Sequence, residues 1–294
     1  MSRPQTLELP EGARAAQLST SRGEFAVHEC GRAEHGTALL VPGFTGSKED
    51  FLGLLQPLAA AGFRVVAVDG RGQHESYGPP DEAAYAREEL AADLLAQIAA
   101  VGGPVHLMGH SLGGLIARSA VLRDASSIAS LTLMSSGPAA LSPAQQGRVR
   151  MLLSSLATLD MEAVWQAMQA YEQAQDHAAQ TPLEPVDDAT PPAVLDFLHR
   201  RWLKTVPQQL AATGRQLLEE PDLVAELSRV PVGKHVLSGE RDDAWPVSWM
   251  DDMAHRLGAR RTVIAGAEHS PNADRPAETA RALVRGWHAA AGRP

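Results

Sequence analysis

Residues 106–122, HLMGHSLGGLIARSAVL, decide the fold that the sequence predicts. The stretch begins as a short apolar run, typical of a buried strand, and ends with apolar residues at helical spacing. Gly109 and Gly113 lie two residues before and after Ser111, at the point where one pattern replaces the other. A turn this tight strains the backbone and leaves no room for side chains at those two positions. We therefore predict a strand, a sharp turn and a helix, with Ser111 on the turn.

The position of Ser111 suggests chemistry. A serine at the start of a helix lies beside free backbone N–H groups, which can stabilise negative charge on a reacting oxygen. The Gly-x-Ser-x-Gly pattern also arises by chance, because glycine and serine are common residues. Here a strand precedes it and a helix follows, as a serine nucleophile on such a turn requires. Ser111 is accordingly the candidate nucleophile.

Composition limits the classes of function. The chain has 294 residues, of which 44% are hydrophobic, enough to bury a substantial core. Its formal net charge of -9, with 26 basic and 35 acidic residues, argues against a nucleic-acid partner. We find no signal-peptide layout and no stretch near the roughly 20 apolar residues of a membrane span. The single cysteine, Cys30, excludes an internal disulfide and fits a reducing compartment, so we expect a cytoplasmic protein.

Strand-like and helical patterns alternate along most of the chain, which predicts a mostly parallel sheet with helices on both faces. The strand-like segments are short, rich in Val and Leu, and closed by small residues; they cover 23–30, 37–43, 63–70, 104–110, 130–136, 234–240 and 261–267. Helical spacing covers 48–62, 86–102, 247–258 and 275–290.

The alternation stops between residues 141 and 228, where only helical patterns occur. We predict an α/β core formed by residues 1–140 and 229–294, interrupted by a helical segment over 141–228. TPLEPVDDATPP, residues 181–192, is rich in proline and acid and predicts a loop inside that segment. From this loop we hypothesise that the helical segment 141–228 is mobile.

Two further stretches match a known family in the same order as the serine turn. LLVPGFTGSKEDF (39–51) and VDGRGQHES (68–76) precede that turn, and the sequence resembles the capped serine hydrolases of the α/β-hydrolase superfamily, such as esterases and lipases. Pro42 stands where many members have histidine, and His74 where glycine is more usual. The resemblance covers about residues 20–140 and 230–290. It implies an eight-stranded, mostly parallel sheet with a helical cap inserted after the sixth strand.

The resemblance also implies roles for individual residues. Ser111 would be the nucleophile, with an oxyanion hole formed by the backbone N–H groups of Phe44 and Leu112. The base should follow the last strand, and His269 does so in RTVIAGAEHSPNADRP. Three other histidines fit less well. His255 lies in a helical pattern, His110 within the turn should point away from the attack site, and His288 is near the end of the chain.

The acid must be chosen between two neighbours in SGERDDAWP, residues 238–246. In the family that the sequence resembles, the carboxylate commonly lies three residues after the glycine that ends this strand, which favours Asp242. Asp243 is better placed, on this interpretation, to accept hydrogen bonds from the amides that open the next turn. The acid would hold the histidine in one tautomer and stabilise its charged form.

We therefore expect an enzyme that cleaves a carboxylic ester, lactone or thioester of a small to medium apolar substrate, a small molecule with an apolar acyl or alcohol part. A carbon–carbon bond hydrolase or a cofactor-free perhydrolase would use the same triad and stays open, as does a ligand-binding protein on the same scaffold. Serine in place of aspartate at the nucleophile position disfavours haloalkane dehalogenase and epoxide hydrolase chemistry. No cofactor is implied, and neither a dinucleotide-binding glycine pattern nor a metal-binding histidine or cysteine spacing is present.

Substrate contacts are harder to predict. Four large apolar residues are candidates for lining a pocket, although such residues on helices more often pack in a core: Trp165, Met168, Trp202 and Trp245. The sequence leaves the oligomeric state open between monomer and dimer.

Overall fold

The computed structural model describes residues 2–179 and 190–292. Most of the loop predicted at 181–192 therefore lies outside the described residues. Among the described residues, no helix combines the length and the apolar content that a bilayer span would need.

Eight strands form a single mixed sheet in the order β1-β2-β4-β3-β5-β6-β7-β8. Their bounds are β1 Ala13–Thr20, β2 Gly23–Cys30, β3 Gly36–Val41, β4 Phe63–Val68, β5 Val105–His110, β6 Ile128–Met134, β7 Gly233–Gly239 and β8 Arg260–Ile264. β2 pairs antiparallel with its two neighbours, β1 and β4. The remaining strands, β4-β3-β5-β6-β7-β8 in sheet order, all run parallel to one another. The predicted eight-stranded, mostly parallel sheet is confirmed.

Helices cover both faces of this sheet. The α-helices of the described residues, some of which lie away from the sheet, are α1 Leu52–Ala60, α2 Arg87–Val101, α3 Leu112–Arg123, α4 Pro143–Leu156, α5 Met161–Ala179, α6 Pro192–Lys204, α7 Pro207–Glu219, α8 Val224–Ser228, α9 Val247–Leu257, α10 Pro271–Asp274 and α11 Pro276–Ala290. α2, α3, α8 and α9 share one apolar cluster with the sheet, whereas α1 and α11 share the other. Between β6 and β7 the chain forms the helices α4 to α8 and, in the described residues, no strand.

Alternate residues of the central strands face the two helical layers. On β5, Leu107 belongs to the cluster under α2 and α3, while Met108 belongs to the cluster under α1 and α11. On β3, Leu39 and Leu40 divide in the same way, and all four side chains are fully buried. Because both faces are covered, these strands are apolar throughout, as the sequence pattern indicated.

β1 is the strand that the sequence analysis did not predict. It is an edge strand, pairing only with β2 in the described sheet, and none of its residues is buried. Its sequence, ARAAQLST, therefore carries little of the apolar signal that identified the other strands.

The predicted turn at Ser111 joins β5 directly to α3. Ser111 has φ +54° and ψ −120°, a conformation that costs a residue other than glycine backbone strain. A Cβ atom at Gly109 would lie 2.3 Å from the carbonyl oxygen of Gly113, and one at Gly113 would lie 2.4 Å from that of Val41. Both obstacles are main-chain atoms, so the two glycines are required by packing as well as by the turn.

A buried ion pair connects α6 to the loop after β3. Arg201 Nη1 donates to Asp50 Oδ1 at 2.7 Å, and both side chains are almost fully buried. Arg201 also donates to the main-chain oxygen of Ser2, while Asp50 accepts from the N–H of Ser47. Burial raises the pKa of Asp50, and Arg201 opposes that change.

We predict that Arg201→Met destabilises the protein by about 3–5 kcal/mol, because it leaves Asp50 buried without its partner. The matched control is Arg281→Met, which removes the exposed pair with Glu278 and should cost about 1 kcal/mol or less. Urea unfolding monitored by circular dichroism measures both. Equal midpoints for the two variants would contradict the importance of the buried pair.

Alanine at Gly113 should destabilise the protein by about 3 kcal/mol, since the added Cβ meets main-chain oxygens of Val41 and Pro42 that cannot move without shifting β3. Gly147 in α4 has no heavy atom within 4 Å of a Cβ built on it. Gly147→Ala should therefore stabilise the helix by about 0.5–1 kcal/mol. Thermal unfolding of both variants tests these two predictions. A Gly113→Ala variant as stable as Gly147→Ala would contradict the predicted clash at Gly113.

Candidate active site

Three of the predicted site residues meet at the carboxyl end of the parallel strands. Ser111 follows β5, Asp242 follows β7 and His269 follows β8. His269 Nε2 lies 3.1 Å from Ser111 Oγ. Its Nδ1 lies 3.0 Å from each of the two carboxylate oxygens of Asp242. The three side chains thus form a continuous hydrogen-bonded chain from a buried carboxylate to a serine hydroxyl.

Solvent reaches these groups unequally. The side chain of Asp242 has no exposure and Ser111 is buried, whereas the side chain of His269 is 33% exposed. A carboxylate shielded in this way interacts strongly with the imidazole beside it, because water does not screen the pair. The open side of His269 is where protons can be exchanged with a bound molecule or with water.

The two neighbouring aspartates differ in position. Asp242 Oδ1 accepts hydrogen bonds from the N–H groups of Ala244 and Trp245, at 2.9 and 3.1 Å, in addition to His269. The interpretation that Asp243 caps this turn is therefore wrong: the carboxylate of Asp242 does so. Asp243 is exposed, and its main-chain oxygen accepts from Ser142 Oγ. One carboxylate both organises the loop after β7 and holds the histidine.

His110 lies beside His269 and contacts the main chain of the loop after β8. Its Nε2 donates to the carbonyl oxygen of His269 at 2.8 Å, and the two rings lie 5.1 Å apart. Burial and the nearby His269 lower the pKa of His110 to about 3, so its ring is neutral at physiological pH. A carbonyl only accepts, so the proton of this neutral ring resides on Nε2. His110 supports the position of His269.

The two proposed oxyanion donors belong to residues near Ser111: Leu112 follows it directly, and Phe44 is on the loop after β3. A Cβ atom built on Gly43 would be 3.2 Å from Ser111 Cβ, so the loop that carries Phe44 passes directly beside the nucleophile. Among the described residues, the N–H of Phe44 makes no hydrogen bond. Leu112 is the first residue of α3, and the N–H groups of a first helical turn have no acceptor within the helix.

Two residues near this loop escaped the sequence analysis. Gln73 Nε2 donates to the carbonyl oxygens of Gly43 and Phe44, at 2.8 and 3.4 Å. Asp50, which pairs with Arg201, is buried although an aspartate in a helical pattern is usually exposed. Only the folded arrangement reveals either role, because both partners come from distant parts of the chain.

Ionisable side chains from the segments after β3 and β4 form a cluster. Ligand atoms of Glu49, His74 and Glu75 lie within 4.8 Å of one another, which is close enough to hold a metal ion. Lys48 Nζ, however, lies 2.9 Å from a carboxylate oxygen of each glutamate and of Asp69. Burial would lower the pKa of Lys48, but Asp69 and Glu49 outweigh it and raise the pKa above its usual range. The ammonium group thus supplies the positive charge that a cation would bring.

The four predicted pocket residues occupy two places. Trp245 is fully buried beside the triad, with its ring 6.3 Å from that of His269, and it donates to the carbonyl oxygen of Ala139. Trp165, Met168 and Trp202 belong to an apolar cluster of α5, α6 and α7, which Phe44 contacts from the loop after β3. Trp245 is therefore the one of the four that the structure brings next to the triad.

Comparisons with known proteins agree with this architecture. The model of a family described as the alpha/beta hydrolase family matches residues 38–282. A protein from Variovorax paradoxus, named provisionally as the carbamate hydrolase RutD, is 37% identical over 111 residues. That match covers 37% of this chain and 41% of the relative, so it spans well under half of either protein.

Solved structures resemble nearly the whole chain. A thermophilic esterase from Thermogutta terrifontis has a TM-score of 0.72 at 22% identity, over 94% of this chain and 99% of the esterase. An epoxide hydrolase from Vigna radiata has the same TM-score at 18% identity, over 94% and 97% of the two chains. Identities this low show the shared fold and leave the reaction to be argued from the site. The family match over residues 38–282 shows that this chain belongs to the alpha/beta hydrolase family.

Proposed function

We propose that the protein is a serine hydrolase that cleaves a carboxylic ester, or a related lactone or thioester, through an acyl-enzyme on Ser111. The observation that carries the proposal is the unbroken hydrogen-bonded chain from Asp242 through His269 to the hydroxyl of Ser111. Each contact has the length expected between a carboxylate, a general base and a nucleophile.

The reaction would proceed in two halves. Ser111 Oγ attacks the ester carbonyl carbon while its proton moves to His269 Nε2, and Asp242 stabilises the imidazolium that forms. The carbonyl oxygen becomes an oxyanion that accepts hydrogen bonds from the N–H groups of Phe44 and Leu112. Collapse releases the alcohol, which takes the proton from His269. A water molecule, deprotonated by His269, then attacks the acyl carbon. Collapse of this second intermediate breaks the bond to Ser111 Oγ, which takes the proton back from His269, and releases the carboxylic acid.

The helical segment 141–228 would act as a cap over this site. Its helices lie between β6 and β7, and Gly214 on α7 lies against the ring of Phe44. A Cβ atom on Gly214 would be 3.3 Å from the ring of Phe44 and 2.9 Å from Leu153. The cap thus reaches the loop that carries an oxyanion donor, which supports a role in shaping the substrate pocket.

Carbamate hydrolysis is the second candidate, favoured by the similarity to the RutD protein of Variovorax paradoxus. A carbamate carbonyl is attacked in the same way but is less electrophilic, because nitrogen donates electrons to it. Rates on an ester and a carbamate with the same alcohol group would rank the two candidates. Product analysis with a diketone, or with peroxide as co-substrate, separates both from carbon–carbon bond cleavage and perhydrolysis.

A fluorophosphonate probe should label the folded protein at Ser111, because the phosphorus mimics the tetrahedral carbon and the serine is activated by His269. Peptide mass spectrometry locates the adduct. Ser111→Ala is the control and should remain unlabelled and inactive on short-chain aryl esters. Labelling elsewhere, or none in folded protein, would contradict the proposal.

Replacement of the two aspartates should have unequal effects. Asp242→Asn should lower kcat by up to about four orders of magnitude, because the amide favours the wrong histidine tautomer. Asp243→Asn, in an exposed side chain one residue away, should change kcat by less than about threefold, as is usual for surface substitutions. Ester hydrolysis at saturating substrate measures both. Similar losses in the two variants would argue against Asp242 as the acid.

A further inference from the structure

The hydrogen bonds of Gln73 indicate a role that the triad does not include. This glutamine lies in the loop after β4, and its side chain is buried. Its Nε2 donates to the carbonyl oxygen of Gly43 at 2.8 Å and to that of Phe44 at 3.4 Å. Its Oε1 accepts from the N–H of Gly70 at 3.0 Å. We infer that Gln73 is a positioning residue that orients the backbone N–H of Phe44 toward the oxyanion. This inference rests on the proposed function.

The geometry of a peptide bond connects the glutamine to the oxyanion hole. The peptide between Gly43 and Phe44 is trans, so its C=O and its N–H point in opposite directions. Holding the carbonyl oxygen of Gly43 on one side therefore directs the N–H of Phe44 to the other. Since Gly43 lies directly against Ser111 and this N–H has no partner among the described residues, the N–H is available to an oxygen on the reacting carbon.

Another hydrogen bond to the same carbonyl does not replace this one. The N–H of Gly46 also donates to the oxygen of Gly43, at 3.2 Å, and closes a turn over residues 43–46. That bond lies within the turn and moves with it. Gln73 belongs to a different loop, so its bond fixes the turn relative to the sheet.

The orientation of the Gln73 amide is determined by its neighbours. Two carbonyl oxygens lie on one side and an N–H on the other, so only the orientation with Nε2 toward Gly43 and Phe44 satisfies all three groups. Gly70 is matched to this arrangement, because a Cβ atom there would lie 2.6 Å from Gln73 Oε1. Gly70 and Gln73 therefore act together. The N–H of Gly70 holds Gln73 Oε1, and this directs Nε2 toward the carbonyl oxygens of Gly43 and Phe44.

The experiment compares Gln73→Met with Gln97→Met. Methionine keeps the length of the side chain and removes its donor. Gln97 is equally buried and lies on α2, outside the proposed cap, so it is a control for the loss of a buried amide. Losing one oxyanion donor outright costs about 10²- to 10³-fold in kcat. A donor that is present but poorly aimed should cost less, and we expect about 10- to 100-fold for Gln73→Met with KM changed less than about threefold.

A transition-state analogue separates positioning from packing. A trifluoromethyl ketone forms a tetrahedral oxyanion with the active serine, so its inhibition constant should weaken in Gln73→Met by the same factor as kcat/KM falls. Gln97→Met should keep kcat and the inhibition constant within about twofold of the unchanged protein, since α2 carries no residue of the proposed site. Gln73→Glu keeps the shape and the acceptor but replaces the donor by oxygen, and its kcat should fall at least as far.

Three results would overturn the inference. One is a normal kcat in Gln73→Met, or in Gln73→Glu if the methionine variant does not fold. Another is an increase in KM alone, and the third is an equal loss of kcat in Gln97→Met. Absence of both ester turnover and Ser111 labelling in the unchanged protein would instead overturn the proposed function, and with it this inference. The two failures are therefore distinguishable.

Discussion

The backbone conformation of Ser111 is the constraint on which the site depends. A positive φ at a residue with a side chain is strained, and the structure maintains it by packing main chain against main chain on both sides. Gly109 lies against Gly113, and Gly113 lies against the carbonyl oxygen of Val41 at the end of β3. The loop that carries the proposed oxyanion donor starts one residue later. Main-chain contacts thus connect the nucleophile to this loop, and they leave no room for a Cβ atom at Gly109 or Gly113.

Buried polar groups hold the loops around this turn. The carboxylate of Asp242 binds two backbone N–H groups of its own loop as well as His269, and Gln73 connects the loops after β3 and β4. Arg201 and Asp50 connect the loop after β3 to α6. In each case the buried charge or amide has at least one hydrogen-bond partner, which lowers the free-energy cost of burying it, although Arg201 Nε has no partner among the described residues. The carboxyl end of the sheet, where the candidate site lies, is consequently held by hydrogen bonds, whereas its centre is apolar.

Local constraints could be predicted from the sequence, and long-range ones could not. The glycines around Ser111 and the apolar strands depend on neighbours in the chain, so the turn and seven of the strands were predictable. β1 was missed because an exposed edge strand needs no apolar pattern. The ordering of the triad came from resemblance to a family. Spacing alone assigned the capping role to Asp243, whereas the fold gives it to Asp242, whose carboxylate faces both its own loop and His269.

The roles of Gln73 and Asp50 depend on long-range contacts and could not be predicted from the sequence. Gln73 contacts a loop about 30 residues away, and the partner of Asp50 is about 150 residues away. Neither residue type signals such a contact, since glutamine and aspartate are usually exposed. Likewise, helical spacing grouped four large apolar residues as possible pocket residues, but only the fold separates Trp245, beside His269, from the three that pack among α5, α6 and α7.

The most direct test of the account is a crystal structure of the protein after reaction with a phosphonate probe. The account predicts phosphorus on Ser111 Oγ and a phosphonyl oxygen within about 3 Å of the backbone nitrogens of Phe44 and Leu112, as in an occupied oxyanion hole. His269 should remain bound to Asp242, and Gln73 should remain on the carbonyl oxygen of Gly43. A phosphonyl oxygen directed to solvent or to other donors would contradict the assignment of the site.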